Sequence, residues 1–157
     1  MKIFFTKKEE GQHLINCKRK DGTETWMKLS TFFVMHDLMH FALESEFEFN
    51  SAFYGMIENG VAISDFELPK EIRKFELTSE AILAEHLVNL LLIECTQGVF
   101  ENFEKELSKS VKNNPNLIIP DFLNNVRIDI VRNNFNTLAN KWKALETESN
   151  LELKLGE

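Results

Sequence analysis

The chain predicts an α+β fold, a small N-terminal antiparallel β-meander beside a bundle of about four or five helices. Three observations carry that prediction. Residues 1–29 hold three short runs with aliphatic and aromatic side chains, separated by turn signals. From Ser30 onward, apolar positions instead recur at helical spacing over stretches too long for strands. No Pro-, Gly- or Ser-rich linker divides the sequence, so 1–157 reads as one domain. Within it, 1–29 is the meander, 30–147 the helical part and 148–157 a tail or a short strand able to join the meander.

Taken in order, Lys2 to Thr6 suits the first strand, and Glu9, Glu10 and Gly11 turn the chain. His13 to Lys18 alternates polar and apolar residues, as a half-buried strand does. Asp21-Gly22 is the pair a type I′ hairpin favours, which makes Thr23 to Leu29 the third strand.

Thr31 to Glu44, T-F-F-V-M-H-D-L-M-H-F-A-L-E, then reads as one helix. Ser30 or Thr31 can accept from the free amides of its first turn, and no Gly or Pro interrupts it. The following S-E-F-E-F is a loop or a short extension. Asn50 can cap a brief helix over Ser51 to Asn59, with Gly60 as its left-handed stop. Val61 to Leu68 is irregular or extended, and Pro69 opens the charged stretch K-E-I-R-K.

Thr78 or Ser79 caps the next helix, from Glu80 towards Gln97, which is apolar nearly all round and belongs in the middle of the bundle. Val99 to Val111 continues helically until Asn113-Asn114-Pro115-Asn116 breaks the chain. Asp121 caps a last helix to about Leu145. Its seam of Val131, Phe135, Leu138, Trp142 and Leu145 is either core packing or the face of a homodimer through the C-terminal helix. Leu151 to Leu155 alternates and can add a strand to the meander.

Charge excludes one class of partner. A net charge of −7 and scattered Lys and Arg argue against nucleic acid, whose phosphates must be neutralised. The longest apolar run, Leu90 to Ile93, is too short for a membrane span, and M-K-I-F-F-T-K-K lacks the apolar core of a signal peptide. Cys17 and Cys95 support no disulfide framework, which points to reduced thiols and a cytoplasmic location.

The chemistry concentrates on the helix of residues 31–44. At about 100° per residue, His36, His40, Glu44 and Asp37 fall within one narrow stripe, with no Lys or Arg among them. That stripe is a solvated face, a metal site or a buried polar network. As i and i+4 neighbours, His36 and His40 can converge on one ion. Asp37 stands where the zinc-peptidase pattern H-E-x-x-H has its Glu, which makes it the candidate catalytic base.

A third ligand must come from another helix, and Glu85 and His86 are the candidates, with Glu58 a weaker choice. Glu44 lies about 12 Å along the helix from His36, too far to share one tetrahedral centre. It can instead accept from the second ring nitrogen of His40. Two His and one carboxylate suit zinc, iron or nickel. The reading is therefore a metal-binding protein, extended to a metal-dependent hydrolase. The alternative is a non-enzymatic interaction or small-ligand-binding module in which the stripe is a structural network. No G-x-S-x-G elbow, phosphate loop or dinucleotide fingerprint offers another chemistry.

The run F-F-V-M-H-D-L-M-H-F-A-L-E, followed by F-Y-G-M-I-E-N-G, resembles a family of uncharacterised bacterial proteins with an H-D-L-x-H-[FY]-x-x-E motif. That resemblance covers roughly residues 20–95 and implies a bacterial cytosolic protein, with no activity attached. The H-D-x-x-H fragment is also similar to that of a ubiquinone-biosynthesis family, which has a Glu further on where this chain has Ala52.

Overall fold

The computed structural model describes residues 1–156; Glu157, the last residue of the expected tail, lies outside the described residues. The fold is α+β. A four-stranded antiparallel sheet of β1 (Lys2–Thr6), β2 (His13–Lys18), β3 (Glu24–Leu29) and β4 (Asn150–Lys154) has the order β3-β2-β1-β4. Against it lie α1 (Thr31–Phe47), α2 (Phe53–Glu58), α3 (Ser79–Gln97), α4 (Phe103–Ser110) and α5 (Asn125–Ala144). The chain's tail thus completes the meander, pairing Leu153 with Ile3 and Leu151 with Phe5.

Alternation sets the sheet's inner face. Ile3, Phe5, Ile15 and Cys17 are fully buried beneath the helices, and Trp142 of α5 meets Phe5 edge-on. Burial pushes the Cys17 thiol up to about 12, so it remains an inert core thiol. Helix α1 is central, packing on both α3 and α5. The seam of α5 is used within this chain: Val131, Phe135, Leu138 and Trp142 are buried in the common core. Among the described residues, no helix is long and apolar enough to cross a membrane.

Several boundaries differ from those the sequence suggests, each for a local reason. The β2–β3 connection is not a type I′ turn at Asp21-Gly22. Gly22 N donates to Arg19 O and Arg19 N to Thr23 O, and of the two expected turn residues only Gly22 has a positive φ, 88°. This is a type I turn closed by a left-handed glycine, and Asp21 instead accepts from Thr23 N and Oγ1. Helix α1 continues through S-E-F to Phe47 and ends at Glu48 in the left-handed conformation. Helix α2 has no side-chain cap, although Asn50 precedes it; α4 is capped by Asn102 and α5 by Asn124 rather than Asp121. Within Val61 to Leu68 lies a 3-10 helix, Ile63–Glu67.

Candidate metal centre

Ser30 caps α1 through its side chain, as Thr78 caps α3, so both helices that carry the site begin at defined points. Their packing buries the polar stripe of α1. Asp37 is 4% exposed, His40 2% and Glu44 0%, which rules out a solvated face. His36 is half-buried, and Glu85 reaches the stripe from α3 with half its side chain open to solvent.

The two imidazoles are held alike. His36 Nδ1 lies 3.1 Å from Asp37 Oδ1, and His40 Nδ1 lies 3.0 Å from Glu44 Oε1. Their other nitrogens converge on Glu85, His36 Nε2 at 3.5 Å from Oε1 and His40 Nε2 at 3.2 Å from Oε2. The ring centroids are 4.7 Å apart. His36, His40 and Glu85 each offer a ligand atom, and these atoms all lie within 4.8 Å of one another. Donors at about 2 Å from one ion stand at most about 4 Å apart, so these side chains would close by roughly 1 Å to share one.

His86, the neighbour of Glu85, does not join them. One residue further along α3 turns the side chain by about 100°, and His86 Nε2 lies 3.1 Å from Asn114 Nδ2 instead. Glu58 is also elsewhere, accepting from Lys20 N. Asp37, expected to act as a base on a bound water, is bonded to Nδ1 of His36 and also lines the pocket beside it.

Glu44 is itself fixed. Its Oε2 accepts from Tyr54 N at 2.9 Å, at the first turn of α2, while the Tyr54 hydroxyl donates to Asp37 O at 3.0 Å. This docking of α2 needs Gly55, because a Cβ there would stand 2.2 Å from Asn50 O. Phe53 packs on the His40 ring at 5.2 Å. Tyr54, Gly55 and Phe53 are thus site residues that the His–Asp–His spacing does not disclose. The F-Y-G cluster soon after the helix is their sequence signal.

Electrostatics follow from this layout. Burial opposes charge on His40, but the bonds to Glu44 and Glu85 outweigh it and push its pKa up to about 9. His36 is raised as well, burial being overcome by Asp37 and then Glu85. Burial raises the carboxyls of Asp37 and Glu44 against the pull of their imidazoles. Bonds from His36 and His40 hold Glu85 well below the usual carboxylate range.

His36, Asp37, His40 and Glu85 all line a pocket of about 470 Å³. Its walls are mainly apolar, including Phe33, Phe53, Phe66 and Leu77, and its floor holds His36, His40 and Glu85. Comparison with protein-family models, with curated proteins and with solved structures gave no match to this chain. The functional reading therefore rests on geometry and chemistry.

Proposed function

We propose that the protein binds one divalent transition-metal ion through Nε2 of His36, Nε2 of His40 and the Glu85 carboxylate. The observation that carries this reading is the convergence of three ligand atoms from two helices at the floor of a pocket. Each imidazole is already bonded to a carboxylate through its opposite nitrogen. An Nδ1–H donated to Asp37 or Glu44 leaves the Nε2 lone pair for a metal, the pattern that fixes tautomer and orientation in metal sites. Asp37 and Glu44 are accordingly positioning residues.

Two His and one carboxylate, with further positions facing a cavity, suit zinc, iron or nickel in a reactive rather than a closed structural site. Such an ion supplies Lewis-acid polarisation of an oxygen and a water acidified towards neutral pH, so metal-dependent hydrolysis is the catalytic form of the proposal. The chain's own contribution is to hold the three donors, exclude bulk water with the apolar walls and keep each imidazole in one tautomer.

One observation favours a second reading, a metal-free structural network. His40 sits between Glu44 and Glu85, and a protonated imidazole satisfies both carboxylates without an ion. Elemental analysis of protein purified without chelator or immobilised metal separates the two. Stoichiometric metal that is lost in His36→Ala and in Glu85→Ala supports the metal centre. Folded protein that is metal-free and takes up no added zinc, iron or nickel supports the network.

A further inference from the structure

We propose that the pocket above His36, His40 and Glu85 takes an uncharged, largely apolar small molecule whose single carbonyl or hydroxyl oxygen reaches the metal. This inference rests on the metal reading and adds the class of ligand. Size and lining set the body of the molecule. About 470 Å³ is within the range of small-ligand pockets, and the polar groups are confined to the floor and one part of the rim. Two of the aromatic lining residues adjoin: Phe53 stands 5.2 Å from the His40 ring and 4.8 Å from Phe66. Flat or branched apolar groups pack on such walls without leaving a polar atom unpaired.

Charge decides the head group. Asp37, Glu44 and Glu85 place three carboxylates around a divalent ion, a formal excess of one negative charge beside mainly apolar walls. An anionic ligand would add to that excess. Arg73 is the only Lys or Arg among the described lining residues. Its Nε donates to Leu68 O at 2.6 Å and its Nη2 to Phe66 O at 2.7 Å. The guanidinium is thus engaged by the backbone of Phe66 and Leu68, and Glu67, also a lining residue, offsets its charge. A carboxylate or phosphate finds no dedicated fork there. A neutral oxygen donor completes the coordination at no electrostatic cost.

The test uses a matched pair of two-ring probes, 2-acetylnaphthalene and 2-naphthoate, titrated into the full-length protein. Zinc uptake is measured first on the same sample, and binding is then followed through the amide resonances with zinc and with chelator. The expected result is that the zinc-loaded protein binds the ketone at least about fivefold more tightly than the carboxylate, since like charges oppose the latter. Zinc should also strengthen ketone binding. Leu77→Glu, at an exposed position of the rim, should weaken the ketone at least about fivefold with zinc stoichiometry unchanged. Zinc uptake followed by equal or tighter binding of 2-naphthoate, by no binding of either probe, or by ketone binding indifferent to zinc and to Leu77→Glu overturns the ligand proposal alone. Failure to take up zinc overturns the metal reading and this proposal with it.

Discussion

Helix α3 carries two acid clusters, one around the half-exposed Glu85 and one around the buried Glu94, and they are built on opposite plans. Arg132 of α5 forks onto Glu94, Nε to Oε2 at 2.8 Å and Nη2 to Oε1 at 2.7 Å, while Nη1 reaches Asp129 at 2.6 Å. Glu94 Oε1 also accepts from Phe100 N. A guanidinium is permanently charged and has no lone pair, so this cluster is complete at any ordinary pH. Around Glu85 the cations are imidazoles, whose charge depends on pH and whose Nε2 atoms can bind a proton or a metal. The first plan fastens α5 to α3. The second leaves a choice of occupant beside a pocket.

The largest effect should come from the support the two clusters share. Leu87 is fully buried on α3 between them, and Leu87→Ala should cost about 2–5 kcal/mol in denaturant unfolding. A loss of a few tenths would mean that the core does not run through this helix. Arg132→Met removes the permanent cation and leaves Glu94 buried with only the Phe100 amide as donor, a change of about 3 kcal/mol. Zinc binding should be unchanged, and zinc loss in this variant would mean that the clusters are not separate.

Stability of the metal-free protein should instead depend on pH through His40. Its folded pKa is raised to about 9 from an ordinary value of 6.5. A raised imidazole contributes stability that is fully present below about pH 6.5 and lost as pH climbs through 9, on the order of 3 kcal/mol. Thermal unfolding in chelator across this interval should show the decline, and His40→Phe should reduce it to the share of His36, which is raised as well. Zinc requires unprotonated Nε2 atoms, so its stabilisation should grow over the same range. Smallest is Asp37→Asn, which keeps three ligands and weakens one orienting bond. Zinc stoichiometry should persist while affinity falls about tenfold to a hundredfold. Complete loss of zinc would make Asp37 a ligand.

Much of this was legible in the chain because periodicity is local. The alternation of His13 to Lys18 and the apolar residues recurring nearly all round α3 specify their elements directly. Boundaries were less so: Asp121, Asn124 and Asn125 all offer caps, and Asn124 rather than Asp121 accepts from the first turn of α5. The i, i+4 pairing of His36 and His40 follows from helix geometry alone. The choice of Glu85 over His86 does not, since α3 is apolar on nearly every side and adjacent residues differ by about 100°. Nor could spacing reveal that Tyr54 N would hold Glu44, a contact made through the close approach of Gly55 to Asn50.

The most direct test of the central claim is a zinc titration of the chelator-stripped protein at pH 8 against a chromophoric competitor. The account predicts one tightly bound equivalent in the wild type and in Arg132→Met. It predicts none in His40→Ala or Glu85→Ala, the latter a half-exposed side chain whose removal leaves the core intact. Zinc bound equally well by Glu85→Ala, or no equivalent bound by the folded wild type, would contradict it.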